Sequence, residues 1–281
     1  MPYFVTKDKA KLWYEVHGEG DPIFCCNGLG VSASYWAPLI KHFQKKYKVI
    51  VWDYRGHGRS DLGHSKKVSI DTLACDAGAL IKNLKLKNTT LIGHSYGFQV
   101  ALEVYSSNIR NIKRLVSFLG TYGKILDYFM DSKWSRPAFD LSYLLTAAFP
   151  KESRTVSRVL FKSHFAYAVA ALGSLINPKL FKPDDLNQYL DHILATDPAM
   201  LMTLAYSADE HSAEGLLPKI KCPTLIVCAE RDKFIPPSVA RYMHRKIKGS
   251  HLVEIKEGTH AALFEQSRLF NKALENFLRK K

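Results

Sequence analysis

The sequence contains little cysteine, with five residues in a chain of 281. None of them forms a C-x-x-C pair or a Cys/His cluster with the spacing of zinc ligands, so we expect neither a structural nor a catalytic metal. Four lie in apolar, strand-like runs, as buried free thiols do in a reducing compartment. The cysteines are Cys25, Cys26, Cys75, Cys222 and Cys228.

Long hydrophobic runs are also missing. No apolar stretch approaches the roughly 20 residues that cross a bilayer. The beginning, MPYFVTKDKAKLWYE, lacks the apolar segment of a signal peptide. We therefore predict a cytoplasmic protein that makes no membrane contact.

Negative charge is scarce relative to positive charge. The chain has 40 Lys and Arg against 26 Asp and Glu, which gives a formal net charge of +14. A positive net charge of this size can favour binding to nucleic acid, to an anionic membrane or to an acidic partner. The basic residues are scattered over many predicted helices, and no motif of a groove-reading helix or an RNA-binding sheet accompanies them. We predict a solvated, lysine-rich surface and no nucleic-acid binding.

Short apolar runs alternate with amphipathic ones in residues 1–120 and again in residues 216–281. PIFCCNG is almost wholly apolar, as expected of a central strand, whereas SASYWAPLIKHFQKKY has apolar residues at helical spacing. This alternation predicts an α/β fold with a parallel sheet and right-handed crossovers. Residues 121–215 are aromatic-rich, helical in pattern and interrupted by prolines. We predict one core formed by the two outer segments, with residues 121–215 inserted as a helical cap.

The segment GHSYG places Ser95 between a strand, TTLIGHS, and a helix, YGFQVALEV. A tight turn at that point strains the backbone, and Gly93 and Gly97 relieve the crowding around it. The hydroxyl then projects from the carboxyl end of the sheet, where open α/β sheets bind ligands. Because the motif alone is weak, this strand-turn-helix context is what favours a nucleophile over an ordinary turn.

A serine hydroxyl needs a base to take its proton and an acid to orient that base. His260 follows the predicted strand HLVEIKEG, and Asp232 follows TLIVCAER. Each of the three residues therefore comes after a different strand, so Ser95, Asp232 and His260 can converge at one edge of the sheet. We predict that they form a catalytic triad.

An acyl-transfer site also needs donors for the oxyanion. The backbone N–H of Tyr96, at the positive end of the predicted helix, is the first candidate. The second is the N–H of Leu29, which lies between Gly28 and Gly30 in CCNGLGVS. A simple tight turn would also explain these glycines, but not their position where a donor is needed.

Five sequence blocks resemble the α/β-hydrolase-fold enzymes in order and in spacing, over nearly the full chain. The resemblance implies an eight-stranded, mostly parallel sheet under a helical cap, and it assigns the same triad and oxyanion donors. We predict no cofactor. The blocks are NGLG, DYRGHGRSD, GHSYG, AERDKFIPP and EGTHAALFEQ.

The chain departs from the pattern of these enzymes at two positions. Asn27 replaces a usual histidine, and Phe98 replaces a usual small residue, which we expect to alter helix–sheet packing. The block DYRGHGRSD looks like a second catalytic cluster, but the resemblance implies a structural loop. We therefore interpret His57 as structural, with the alternative that it borders the pocket.

These observations predict a carboxylic-ester hydrolase that forms an acyl-enzyme. Serine at the turn argues against the dehalogenases and epoxide hydrolases of this fold, which carry aspartate there. Two alternatives stay open: hydrolysis of a carbon–carbon bond by the same triad, and a ligand receptor that retains the triad. We expect the apolar residues of the cap to pack it onto the core and partly to line an acyl or aromatic pocket.

Basic residues outnumber acidic ones in residues 121–180 by eight to four. Arg154, Arg158 and Lys162 recur at every fourth position and so share one helix face. This resembles the basic cap of the pimeloyl-acyl-carrier-protein methyl ester esterases of biotin synthesis. An acidic acyl carrier protein is therefore a candidate partner, and a solvated face is the simpler alternative.

Overall fold

The computed structural model describes residues 3–64, 68–129, 132, 134–161, 167, 170–171, 173, 175–181, 190 and 193–280. The strands, numbered in chain order, form one eight-stranded sheet with the spatial order β1-β2-β4-β3-β5-β6-β7-β8. Strands β1, β2 and β4 pair antiparallel, and every other pairing is parallel. The strands are β1 (Tyr3–Val5), β2 (Lys11–His17), β3 (Asp21–Cys26), β4 (Tyr47–Trp52), β5 (Thr89–His94), β6 (Ile112–Phe118), β7 (Thr224–Ala229) and β8 (His251–Ile255).

Helices cover both faces of the sheet, because its central strands are apolar on both sides. In β3, Phe24 belongs to the hydrophobic cluster on one face of the sheet, whereas Ile23 and Cys25 belong to the cluster on the other face. The helices are α1 (Ala37–Phe43), α2 (Ile70–Asn83), α3 (Gly97–Asn108), α4 (Ser135–Ala148), α5 (Pro150–Phe161), α6 (Pro198–Glu210), α7 (Pro237–Lys246), α8 (Ala262–Glu265) and α9 (Ser267–Arg279). The predicted α/β fold with a mostly parallel eight-stranded sheet is confirmed.

Two details differ from the sequence pattern. The short edge strand β1 was not predicted. The segment SASYWAPLIKHFQKKY divides into a 3₁₀ turn, Ala33–Trp36, and helix α1, with Pro38 in the first turn of the helix. Proline lacks an N–H and is tolerated there, where that donor has no partner in the helix.

Among the described residues between β6 and β7 are the helices α4, α5 and α6. Helix α6 packs against α2, and α4 and α5 pack on α6. Among the described residues of this stretch the only β-pairing is a single bridge between Gly123 and Ser212. We call residues 121–215 the cap, and its extent stays a prediction. Over the described ranges, no helix is long and apolar enough to cross a membrane.

Candidate active site

Ser95 lies at the sharp junction of β5 and α3, with a φ of +54°. This left-handed conformation is costly for a residue with a β-carbon, by about 1–3 kcal/mol. The glycines on either side are required by close packing. A β-carbon at Gly93 would collide with the backbone of Phe98, and one at Gly97 would collide with the carbonyl oxygen of Asn27. The tight turn that presents the serine can therefore form because positions 93 and 97, two residues away on either side, have no side chains.

The structure brings Ser95, Asp232 and His260 together. His260 Nε2 lies 3.0 Å from the Ser95 hydroxyl oxygen, and His260 Nδ1 lies 2.8 Å from Asp232 Oδ2. Asp232 and His260 are buried, and they follow β7 and β8 at the same sheet edge as Ser95. With Nδ1–H donating to the carboxylate, Nε2 is free to accept the serine proton.

The Asp232 carboxylate is held by its own turn. Its Oδ1 accepts the backbone N–H groups of Phe234, at 2.8 Å, and Ile235, at 2.9 Å. One oxygen thus fixes the side chain, and the other faces the imidazole. The Phe234 ring stacks on His260 with 5.3 Å between ring centroids, which fixes the plane of the imidazole.

His94, directly before Ser95, is a second buried histidine at the site. Its Nε2 lies 2.8 Å from the Tyr35 hydroxyl, and its ring centroid lies 5.6 Å from that of His260. Burial, and then the neighbouring His260, hold the pKa of His94 well below its ordinary value. Gly28 leaves room for this ring, since a β-carbon there would approach His94 Nδ1 to 2.5 Å. The sequence showed this histidine in the motif but gave it no role.

Glu265 supports the loop that carries the candidate base. Its carboxylate accepts the backbone N–H of Thr259 at 3.1 Å and that of Asn177 at 2.5 Å. The Thr259 hydroxyl lies 2.7 Å from the same carboxylate. Burial raises the pKa of Glu265. Sequence reasoning missed this residue, although an acid in the apolar run AALFE was a signal.

The two candidate oxyanion donors lie on either side of the Ser95 turn. Leu29 is in the turn after β3, and Tyr96 directly precedes α3. Neither backbone N–H donates to a group within the described ranges. Asn27 anchors the end of β3, since its amide donates to the Trp52 carbonyl and accepts from the Trp36 indole, both at 2.7 Å. The asparagine thus stabilises the loop that carries Leu29.

The second departure, Phe98, is fully buried in α3. Gly120 accommodates it, because a β-carbon at position 120 would lie 2.6 Å from the Phe98 β-carbon. Phe98 therefore packs closely against the glycine that follows β6, and its effect on helix–sheet packing relative to a small residue stays a prediction.

His57 is buried in a polar cluster of the DYRGHGRSD loop. Its Nδ1 lies 3.1 Å from the Arg55 carbonyl oxygen, and the Arg55 guanidinium pairs with Asp76 at 2.6 Å and Asp8 at 2.8 Å. Burial lowers the pKa of His57. Among the residues placed by the structure, it does not line the pocket beside His260. These contacts support the structural interpretation.

A small, mostly apolar pocket lies beside His260. Cap residues and core residues contribute to it together, so the cap closes the site from one side. Its lining is Tyr35, His94, Leu175, Ile176, Phe181, His260, Ala261 and Phe264. In the part of the chain that the structure covers, no group of three or more His, Cys, Asp or Glu residues is arranged to hold a metal ion.

The candidate docking residues of the cap differ in their surroundings. Arg154 donates to Asp197 Oδ2 at 2.5 Å, and Asp197 also accepts the N–H of Ala199 and so caps α6. Arg158 is exposed on α5. Lys162 lies outside the described residues.

Comparison with known proteins agrees with this architecture. The sequence pattern of the α/β hydrolase fold family matches residues 21–267. The "Putative carbamate hydrolase RutD" of Azorhizobium caulinodans is 24% identical and covers 99% of this chain and 98% of its own length. The human "Serine hydrolase BPHL" is 27% identical, over 98% of this chain and 85% of its own. The enol-lactonase of Burkholderia xenovorans LB400 superposes with a TM-score of 0.82 at 22% identity, covering 99% of this chain and 100% of its own. With the family pattern spanning most of its length, this chain belongs to the α/β-hydrolase fold family and is a hydrolase.

Proposed function

We propose that this hydrolase cleaves carboxylic esters through an acyl-enzyme formed on Ser95. The observation that carries the proposal is the continuous hydrogen-bonded chain from Ser95 to His260, at 3.0 Å, and from His260 to Asp232, at 2.8 Å. A serine in this arrangement can lose its proton to the imidazole as it attacks a carbonyl.

The first half of the reaction transfers the acyl group to the enzyme. The Ser95 oxygen attacks the carbonyl carbon, and its proton moves to His260 Nε2. The oxyanion of the tetrahedral intermediate accepts the N–H groups of Leu29 and Tyr96, and losing one such donor costs roughly 10²- to 10³-fold in turnover. The intermediate then collapses: the bond to the leaving oxygen breaks, and His260 protonates the departing alcohol.

The second half releases the acid. A water molecule attacks the acyl carbonyl while His260 takes its proton, and the bond to Ser95 breaks as that proton returns to the serine oxygen. Asp232 stays ionised throughout and stabilises the imidazolium. No group outside Ser95, His260, Asp232 and the two backbone donors is needed.

The apolar lining of the pocket beside His260 suits an acyl or aromatic group, although the pocket has room for only about one water molecule and has to widen to bind such a group. Carbamate hydrolase and lactonase are among the names of the relatives. Carbamates and lactones, like esters, can be cleaved through a tetrahedral intermediate at the carbonyl carbon. A substrate panel should therefore contain acyclic esters of graded chain length, lactones and carbamates. Including a vinylogous diketone tests the carbon–carbon bond alternative, because its products differ from an acid and an alcohol.

Labelling with a fluorophosphonate tests the activated serine directly. We expect an adduct on the peptide that contains Ser95 in the wild type and none in Ser95→Ala, together with a burst of alcohol release on good esters. Absence of labelling, with ligand binding intact, would favour the receptor alternative. If only the diketone were turned over, the activity would be assigned to cleavage of a carbon–carbon bond.

Presentation of the ester by an acidic acyl carrier protein is a second, narrower proposal. It is supported by the exposed Arg158, whereas Arg154 already pairs with Asp197. Arg158→Gln should then weaken hydrolysis of carrier-bound esters and leave small soluble esters unaffected. Lys45→Gln, a change of equal charge on the core, is the control, and equal losses in both variants would count against the carrier protein.

A further inference from the structure

Helix α4 presents leucines to solvent. Leu141, Leu144, Leu145 and Ala148 follow the i, i+3, i+4, i+7 spacing of one helix face, and all four are exposed. Leu144 is 63% exposed and Leu141 58%. The sequence led us to expect this apolar stripe to pack the cap onto the core, and for these leucines that expectation is wrong.

The opposite face of α4 already makes the packing contacts. Phe139 and Tyr143 stack on Tyr206 of α6, and Thr146 is buried. Because this inner face fills the contact with α6, rotation of the helix would expose the aromatic rings instead. The leucine face is therefore a second apolar surface, of the kind that marks an interaction site.

Further apolar side chains extend the leucine face at both ends of α4. Trp134, just before the helix, is 68% exposed, and Phe149, just after it, is 54% exposed. No charged residue occurs from Leu141 to Phe149. An exposed tryptophan beside an uncharged leucine face is typical of helices that lie in a lipid interface.

Helix α5, which follows α4 directly and contacts it, carries basic residues. Lys151, Arg154 and Arg158 share one face of that helix, and all three are exposed. Among the residues that the structure describes, Lys151 and Arg158 have no ion-pair partner. Their charge is thus available to an anionic surface.

We propose that this surface, which we call the outer face, binds the surface of an anionic lipid bilayer. Its members are Trp134, Leu141, Leu144, Leu145, Phe149, Lys151 and Arg158. The leucines and aromatic rings enter the boundary between headgroups and acyl chains, and the two cations meet the anionic headgroups. The proposal departs from the sequence-based prediction of no membrane contact, because only the structure shows which way the leucines face.

Charge and apolar character together favour lipid over other occupants. A second copy of the chain would bring another formal charge of +14, so the two copies would repel each other. An acidic protein would use the cations but would leave the leucines unexplained. An anionic lipid surface uses both.

Flotation of the full chain with lipid vesicles tests the proposal without depending on its enzymatic activity. We expect the wild type to float with vesicles of phosphatidylcholine and phosphatidylglycerol in equal parts, and less with phosphatidylcholine alone. Leu144→Glu combined with Leu145→Glu should reduce binding by about tenfold or more. Lys151→Gln combined with Arg158→Gln should reduce it by about fivefold per residue, on anionic vesicles only.

Matched variants on the core separate this surface from general attraction by a basic protein. Val16→Glu with Leu269→Glu changes two exposed apolar residues in the same way, and Lys45→Gln with Lys46→Gln removes the same charge. Both controls should bind like the wild type. All variants should hydrolyse a short soluble ester at the wild-type rate and unfold at a similar temperature, which shows that the fold is intact.

Three results would overturn the proposal. One is a wild type that does not float with anionic vesicles. Another is an equal loss in the core variants, which would indicate attraction without a site. The last is concentration-dependent dimerisation in ultracentrifugation that the leucine variant abolishes, which would assign the outer face to a second copy of the chain.

Discussion

Gly97 lies directly against the carbonyl oxygen of Asn27, with no room for a β-carbon between them. Asn27 is in turn fixed by Trp36 and Trp52, so its backbone cannot retreat without breaking two buried hydrogen bonds. This contact joins the start of α3 to the end of β3. The turn at Ser95 and the loop of Leu29 are thus held together.

Gly97→Ala should therefore damage both stability and activity. We expect a loss of about 1–3 kcal/mol in the free energy of unfolding, because the new methyl group forces the backbone at Asn27 to move. Activity should fall further, because the proposed oxyanion donor at Leu29 moves with the backbone of Asn27. Denaturant unfolding and ester hydrolysis measure the two effects. Gly215→Ala, where a β-carbon meets nothing within 4 Å, is the matched control and should change neither.

Asp232→Asn should separate folding from chemistry. The variant keeps an oxygen to accept the N–H groups of Phe234 and Ile235, so the turn should survive. Its NH₂ group would donate toward His260, which favours the wrong tautomer, and turnover should fall by on the order of 10⁴-fold. A thermal unfolding curve close to that of the wild type, beside this loss in kcat, is the expected result. Retained turnover would contradict the proposed role of Asp232.

Acid should destabilise the protein through His94. Because its pKa is lowered in the folded state, the unfolded chain binds the proton first as the pH falls below 6.5. The contribution to stability is complete above that pH, and it is lost at up to about 1.4 kcal/mol per pH unit below it. Unfolding measured from pH 8 to pH 5 should show this slope.

His94→Asn should flatten that slope. Part of it will remain, because burial also lowers the pKa of His57. The exposed His251→Asn should keep the wild-type slope. Equal slopes in all three proteins would contradict the assignment to His94.

Glu265→Gln should affect the position of His260. The amide replaces one carboxylate oxygen with a donor, which then faces the N–H of Asn177 or Thr259. We expect kcat to fall by on the order of tenfold, since a small misplacement of the base slows the reaction, with a smaller effect on KM. Glu275→Gln on α9 is the control. A variant that loses thermal stability but keeps the wild-type kcat would show that Glu265 only supports the fold.

Local patterns predicted the sheet and the turn at Ser95, because each depends on neighbours in the sequence. The glycines at 93 and 97 encode the turn at a spacing of two residues. The contacts of His94 and Glu265 could not be predicted this way, since their partners Tyr35 and Asn177 lie 59 and 88 residues distant. Strand β1 was missed because its three residues are too few to show an alternation.

The leucines of α4 mark another limit of sequence reasoning. Their spacing reveals an apolar face, but it is the same for a face packed on a neighbour and for one turned outward. Only the stacking of Phe139 and Tyr143 on Tyr206 shows which side of the helix is inside.

The pairing of β6 with β7 joins strands from either side of the cap, and Asp232 and His260 come after that joint. A nascent chain that has formed only the elements up to β5 and α3 thus carries the Ser95 hydroxyl without the histidine and aspartate that would activate it. On the proposed mechanism, Ser95 becomes reactive only when β7 and β8 join the sheet and bring Asp232 and His260 next to it. Detachment of these last strands would inactivate Ser95 without changing the serine itself. On the proposed mechanism, an incompletely folded chain therefore does not act on a substrate.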